Sequence, residues 1–218
     1  MTGAMGALAS DANVGVVRDV HRFDEAKLKD WLSAHIDTGG FAVRQFSGGQ
    51  SNPTFLIEAG GRKYVMRKKP PGTLLKGAHQ VDREYRVMKA LGQTDVPVPV
   101  MRALCEDDSI VGTSFYVMDF LEGRIFRDPL IPGVSSTERA AIYDEMNAVM
   151  ARLHNVDHEA IGLGDYGRPG NYFERQIARW ITNYRGAETE VIPAMEDLIK
   201  WMPDHIPADD SVSIAHGD

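Results

Sequence analysis

Hydrophobic residues in the first third of the chain recur at helical spacing and then alternate, which predicts a helix followed by strands. Asp24 is a favoured residue at a helix start, and the apolar positions after it keep a period of three to four residues up to Ile36. Beyond the Gly39-Gly40 pair the period becomes two. The alternating stretches, joined by glycine pairs, predict three antiparallel strands at residues 41–47, 53–59 and 62–68.

One helix interrupts the strands before they resume. Val81, Tyr85, Met88 and Leu91 form an apolar stripe that predicts a helix over residues 79–91. Two further strands are predicted after it, at residues 98–105 and 114–121. Three helices are then predicted at residues 135–155, 172–184 and 190–201. This order predicts an α+β fold, in which a five-stranded antiparallel sheet with one inserted helix is followed by a helical region.

Composition narrows the class of protein. The chain has 218 residues, a net charge of −7, 43% hydrophobic residues and one cysteine, Cys105. These values are typical of a globular protein and exclude collagen-like and wholly disordered chains. Because one cysteine cannot form an internal disulfide, we expect a reducing, cytoplasmic setting. The Ala/Gly-rich residues 1–17 predict a mobile tail, and no apolar run approaches the ~20 residues that a membrane span needs.

Positive charge is concentrated in one segment of this acidic chain. Residues 62–89 contain nine Lys or Arg and two acidic residues, a local charge of +7. A basic island in an acidic chain indicates an anionic ligand held locally, and a solvated charged surface is the alternative. The acidic total argues against a nucleic-acid partner, so RNA binding through this island is kept only as a third hypothesis.

The turn after the first predicted strand is the first candidate for chemistry. Gly48 and Gly49 allow a ligand to approach the backbone closely, and the side chains of Ser51 and Asn52 supply polar groups. Together they predict a cradle for phosphate, with a plain glycine hairpin as the alternative. The chain contains no G-x-x-x-x-G-K-[ST] motif, which excludes ordinary P-loop chemistry.

The second candidate joins the third predicted strand to the helix after it. Alternation places Val65 and Arg67 on one face, where Val65 can cover a flat ring while Arg67 reaches phosphates. Glu84 borders the buried stripe of the helix, and a carboxylate in that position needs a cationic partner. We predict that Arg67 is this partner. A surface pair with Arg83 or Lys89 is the alternative.

The third candidate for chemistry lies in the last three residues of the sequence. His216, Gly217 and Asp218 follow a short apolar stretch that predicts a strand entering a loop. An aspartate on a loop at a strand end is well placed to accept a proton from a substrate hydroxyl. Asp218 is therefore the candidate catalytic residue.

Taken in order, these motifs resemble the kinase-like fold of the aminoglycoside phosphotransferase and choline kinase families. The Gly48-Gly49 turn resembles the phosphate-covering loop, and Tyr64-Val-Met-Arg67 resembles the V-A-I-K strand. Glu84 resembles the helix carboxylate that pairs with the cation of that strand. His216-Gly-Asp218 is similar to the opening of the catalytic H-G-D-x-x-x-x-N loop.

The resemblance implies two lobes joined by a hinge. Residues 18–120 would form the nucleotide-binding lobe, and residues 121–218 an incomplete helical lobe. Met118 would stand at the gate of the adenine site, with Asp119 and Leu121 offering main-chain groups to the base. Within the family, Lys68-Lys-Pro-Pro-Gly72 and the segment from Tyr172 to Trp180 most resemble kinase domains related to those fused to acyl-CoA dehydrogenases.

The resemblance also implies an activity, the in-line transfer of phosphate from ATP, with Mg²⁺, to a hydroxyl group of a small molecule. Asp218 would orient or deprotonate the acceptor, and Arg67, held by Glu84, would grip the α- and β-phosphates. Arg67 stands where most such kinases carry Lys. The metal ligands of the family fall beyond Asp218, so we expect this chain to be part of a longer kinase. A non-catalytic nucleotide-binding or regulatory module is the alternative function.

Overall fold

The structure, a computed structural model, describes residues 14–47, 52–72, 79–126, 128–168, 170–208 and 211–216. Its strands are β1 (Val14–Gly15), β2 (Ala42–Phe46), β3 (Thr54–Ala59), β4 (Arg62–Lys68), β5 (Met101–Cys105) and β6 (Phe115–Asp119). Its α-helices are α1 (Glu25–Leu32), α2 (Val81–Leu91), α3 (Asp108–Val111), α4 (Ser136–His154), α5 (Tyr172–Ala187) and α6 (Pro193–Trp201). The predicted α+β class is confirmed.

The strands form one antiparallel sheet in the order β1-β2-β3-β4-β6-β5. The sequence predicts five strands, and the sixth is β1, in which Val14 pairs with Phe46 and Gly15 with Gln45. This strand falls inside residues 1–17, the segment predicted as a mobile tail. Two residues are too few to show alternation, and they pair because the edge of β2 offers N–H and C=O groups that need partners.

Some strands and helices begin at residues other than those predicted, because a proline or a helix cap lies there. β4 has the predicted bounds. β5 begins at Met101 and not at residue 98, because Pro97 and Pro99 have no N–H to donate to a ladder. Between β5 and β6 the chain forms the short helix α3, which Asp107 caps by accepting a hydrogen bond from the N–H of Ser109 at 2.8 Å.

Helix α1 closes one face of the sheet. Its Leu28 and Leu32 are fully buried. They share a core cluster with side chains from β3, β4, β5, α3 and β6, namely Phe55, Ile57, Ala59, Tyr64, Met66, Cys105, Val111, Phe115 and Val117. This face is filled by apolar packing, so a ligand of the sheet would have to lie on the opposite face, where Tyr116 contacts Glu84 of α2.

Asp24 is expected to stabilise this helix by capping it. Its Oδ1 accepts hydrogen bonds from the N–H groups of Ala26 and Lys27 at 3.0 and 3.1 Å. Asp24→Ala is therefore expected to lower the free energy of unfolding, measured in urea, by about 1 kcal/mol. Asp30→Ala on the exposed side of the same helix is the matched control and should change it by less than about 0.5 kcal/mol. Equal losses in the two variants would contradict a specific role for the cap.

The chain divides into two compact units, Met1–Arg152 and Leu153–Asp218. The first contains the sheet, α1 to α3 and most of α4, and the second contains α5 and α6. The lobe boundary after residue 120 stays a prediction. Across the described ranges, every helix is too short or too polar to span a bilayer.

Candidate functional site

The face of the sheet opposite α1 carries several of the predicted site residues. On β4, Met66 lies in the core, and Val65 and Arg67 alternate with it on the other face. The predicted division of this strand into two faces is thus confirmed. Because β6 runs antiparallel beside β4, Arg67 pairs with Tyr116 and Val65 with Met118. The site therefore begins with four neighbouring side chains on two strands.

Two adjacent cations at the end of β4 have different surroundings. The Nζ of Lys68 donates to the carbonyl of Val111 at 2.7 Å and lies 5.3 Å from the centre of the Phe23 ring. Burial lowers the pKa of Lys68, and the charge of Asp108 opposes that shift. Since Lys68 is only 4% exposed, Arg67 is the cation of these two that a phosphate could reach.

Arg67 forms the predicted ion pair with Glu84 of α2. Its Nε lies 3.2 Å from Glu84 Oε2, and the two side chains are 37% and 33% exposed. The contact is coulombic, because within the described residues the Nε–H has no hydrogen-bond partner. Water screens a pair this exposed, so it contributes at most about 1 kcal/mol to stability. Its main effect is to place a cation on the open face of the sheet.

Directional hydrogen bonds hold the Glu84 carboxylate from both sides. Its Oε1 accepts from Asn52 Nδ2 at 3.1 Å, and its Oε2 accepts from the Tyr116 hydroxyl at 3.0 Å. Burial, followed by the negative charge of Glu84, raises the pKa of the Tyr116 phenol, and the charge of Arg67 opposes part of that rise. The phenol therefore stays protonated in the physiological range and acts as the donor.

Asn52 is enclosed by protein groups. Its Oδ1 accepts from His79 Nδ1 at 2.8 Å, so both ends of the amide are hydrogen-bonded. His79 lies two residues before α2 with a φ of 57°, in the left-handed region. The sequence predicts Asn52 as a phosphate ligand, and the structure places its side chain against His79 and Glu84. Direct contact between Asn52 and phosphate stays a prediction.

The end of β6 carries the predicted adenine-binding residues. Met118 is half-buried and pairs with Val65. The carboxylate of Asp119 accepts from Arg102 Nε and Nη2 at 2.6 and 2.7 Å. The N–H of Asp119 donates to the carbonyl of Val100 at 2.9 Å. These bonds engage both the side chain and the N–H of Asp119, and contact between its main chain and a base stays a prediction.

A cavity of about 450 Å³ adjoins this end of β6. It is lined by Gly61 from the turn between β3 and β4, by Arg62 and Lys63 at the start of β4, and by residues 119–122. The cavity thus brings together Asp119 and Leu121, whereas Val65, Arg67 and Met118 are not part of its wall. The predicted nucleotide-binding residues therefore occupy two places on the described surface, the Arg67 cluster and this cavity.

Four of the predicted site residues lie outside the described residues, namely Gly48, Gly49, Ser51 and Asp218. Their roles stay predictions from the sequence. In the part of the chain that is described, no group of three His, Cys, Asp or Glu side chains is arranged to hold a metal ion.

Comparison with known proteins identifies the family behind this arrangement. The sequence profile of the Phosphotransferase enzyme family matches residues 42–218. The chain belongs to this family. A crystal structure of a candidate aminoglycoside phosphotransferase from Ralstonia eutropha matches this phosphotransferase with a TM-score of 0.75 and 53% identity, covering 87% of this chain and 55% of that one. The predicted kinase-like fold and family resemblance are thereby confirmed.

Curated relatives of this phosphotransferase are much longer proteins. The mouse acyl-CoA dehydrogenase family member 10 is 48% identical over 194 residues, which cover 89% of this chain and 18% of the mouse protein. The chicken acyl-CoA dehydrogenase family member 11 is 44% identical over 218 residues, which cover 97% of this chain and 28% of the chicken protein. The chain thus spans less than a third of these relatives, and the predicted kinship with domains of acyl-CoA dehydrogenase proteins is confirmed.

The sequence analysis does not predict two residues of the hydrogen-bonded cluster around Glu84, namely Tyr116 and His79. Tyr116 lies two residues before Met118, so strand alternation alone would have placed its hydroxyl on the face of Arg67. His79 offers no such signal. Its contact with Asn52 depends on a left-handed backbone conformation and on tertiary packing, neither of which the local pattern contains.

Proposed function

We propose that the chain carries the nucleotide-binding part of an ATP-dependent phosphotransferase that acts on a hydroxyl group of a small molecule. The supporting observation is the Arg67–Glu84 ion pair, which occupies the positions of the strand cation and helix carboxylate of kinases. Residues 18–120 are the proposed nucleotide-binding lobe, and residues 121–218 belong to the proposed helical lobe. The dehydrogenase relatives are more than three times as long as the matched region, so we assign no dehydrogenation to this chain.

The residues of the open sheet face fit a nucleotide. Val65 and Met118 offer apolar side chains of the kind that cover a flat base. Arg67 offers a guanidinium on a side chain that is 37% exposed. A guanidinium is a planar fork of five donors that binds phosphate through two parallel hydrogen bonds. We therefore assign the α- and β-phosphates to Arg67.

The remaining contacts of the nucleotide are proposed from the hinge and the glycine turn. The carbonyl of Asp119 and the main chain of Leu121 would receive the base, and the cradle of Gly48, Gly49, Ser51 and Asn52 would cover the phosphates. When bound, ATP with Mg²⁺ supplies the phosphoryl group. The cytoplasm is the compartment we propose, since Cys105 is a free thiol.

Asp218 is the proposed catalytic residue. Its carboxylate would accept the proton that the acceptor hydroxyl loses as the hydroxyl oxygen attacks phosphorus. The support is the match of the family profile through residue 218, together with the His216-Gly217-Asp218 sequence. The strand predicted before this sequence is wrong, because residues 211–216 form no strand.

A thermal-shift screen of nucleotides with Mg²⁺ on the full-length protein tests nucleotide binding. At a concentration of 100 times Kd, ATP is expected to stabilise the folded state by about 2.7 kcal/mol and to raise Tm accordingly. AMP, which lacks the β-phosphate assigned to Arg67, is the control and should give a smaller shift. A Tm that no nucleoside triphosphate raises would contradict the proposal.

A turnover assay on the same protein then distinguishes a catalyst from a regulatory module. ADP release is followed with a panel of hydroxyl acceptors that includes sugars, amino alcohols, aminoglycosides and hydroxyacyl thioesters. Acceptor-dependent ADP release supports the phosphotransferase. Tight ATP binding with no release above the acceptor-free rate would favour a non-catalytic nucleotide-binding module.

A further inference from the structure

We propose that Tyr116 and Asn52 are positioning residues, which fix the Glu84 carboxylate and thereby the place where Arg67 meets the nucleotide phosphates. The inference rests on the proposed nucleotide site and adds two residues to it. Tyr116 and Asn52 are almost fully buried, with 1% and 3% of their surfaces exposed, and both donate to Glu84. They therefore act through Glu84.

The Arg67–Glu84 contact cannot fix its own geometry. Its charged atoms are 3.2 Å apart, yet the Nε–H makes no hydrogen bond among the described residues. Coulomb attraction depends on distance and has no preferred angle, whereas a hydrogen bond weakens steeply below about 120°. The position of the guanidinium therefore depends on where the other partners of Glu84 hold its carboxylate.

The two directional bonds to Glu84 come from different parts of the fold. Tyr116 faces Arg67 across β4 and β6, and its hydroxyl donates to the same Oε2 that Arg67 approaches. Asn52 lies two residues before β3 and donates to Oε1. Because one bond falls on each oxygen, the carboxylate cannot turn about its terminal torsion without breaking at least one of them.

Asn52 is itself held by a residue with an unusual backbone. His79 has a φ of 57° and donates its Nδ1–H to Asn52 Oδ1 at 2.8 Å. A residue other than glycine keeps such a conformation where its surroundings over-determine it, and such residues concentrate at functional sites. His79 and Glu84 lie on either side of the start of α2. Asn52 thus ties this end of α2 to the predicted phosphate cradle, of which Asn52 is a member.

A double-mutant cycle on the full-length protein tests the inference, with the Kd of ATP and Mg²⁺ measured by calorimetry. Tyr116→Phe removes only the hydroxyl, and we expect it to weaken ATP binding roughly three- to tenfold. In the Arg67→Gln background it should cause no further weakening, because Glu84 then has no cation to place. Tyr85→Phe removes the hydroxyl of a ring centred 6.3 Å from that of Tyr116 and is the matched control, with an unchanged Kd expected.

A second variant keeps the test decisive if Tyr116→Phe does not fold. Asn52→Leu removes the donor to Oε1 at similar volume, and its effect on Kd should likewise disappear in the Arg67→Gln background. Equal weakening in both backgrounds would show a general structural effect and overturn the inference. If Arg67→Gln weakens binding while Tyr116→Phe and Asn52→Leu do not, the inference fails and the nucleotide site stands. If Arg67→Gln leaves Kd unchanged, both the inference and the assignment of the phosphates to Arg67 fail.

Discussion

Asp218→Asn is expected to lower turnover by about 10²- to 10⁴-fold, the usual contribution of a general base. The acceptor hydroxyl must lose its proton as its oxygen attacks phosphorus, and a carboxamide of the same shape cannot take that proton. The nucleotide is assigned to other residues, so the Kd of ATP should stay within about twofold of the wild-type value. Both quantities are measured on the full-length protein, turnover by ADP release with its acceptor and Kd by calorimetry.

The matched control for Asp218 is Asp204→Asn. Asp204 is an exposed aspartate in the same compact unit, and the same loss of one negative charge there should leave turnover unchanged. Undiminished turnover in Asp218→Asn would remove this residue from the catalytic assignment. Loss of ATP binding in that variant would also contradict the separation of the two roles.

Arg67→Gln is expected to weaken ATP binding by about 10- to 100-fold. Hydrogen bonds to charged groups contribute about 1.5–3 kcal/mol each, and every 1.4 kcal/mol is a factor of ten in Kd. The substitution also leaves the Glu84 carboxylate without the cation 3.2 Å away, so its negative charge would face the incoming phosphates. The measurement is a titration with ATP and Mg²⁺ followed by calorimetry.

Two further variants show what the Arg67 result means. Arg67→Lys keeps the charge and loses the planar fork, so its loss of affinity should be smaller than that of Arg67→Gln. Arg86→Gln removes a charge from an exposed position of the same basic segment and should change Kd little. If Arg86→Gln weakens binding as much as Arg67→Gln, the phosphates respond to the net charge of the segment, and the assignment of Arg67 is wrong.

The sequence predicts those parts of the site that follow from strand alternation or from the helical spacing of apolar residues. β4 alternates, so Val65 and Arg67 must share a face once Met66 is buried. The apolar stripe of α2 carries Glu84 along its border, and a carboxylate there requires a cation. Two independent local patterns thus lead to one ion pair, which the structure contains.

The sequence does not predict the features of the structure that depend on single residues or on contacts between distant segments. The hydrogen bond between Asn52 and His79 joins residues that no repeating pattern connects, and it needs a left-handed backbone at His79. β1 is two residues long, below the length at which alternation can be recognised. Sequence periodicity therefore predicts the faces of this fold well and its polar network only in part.

Packing of α1 against the sheet has a practical consequence for protein production. The family match begins at residue 42, yet the fully buried Leu28 and Leu32 belong to residues 25–32. A piece expressed from the family boundary would expose the apolar face that these leucines cover, at a cost of about 25 cal/mol per Å². It would also leave the edge of β2 open to pairing with other molecules. If such a piece is insoluble, the absence of α1 explains it. Samples for nucleotide titration should therefore retain the residues from Val14 onward.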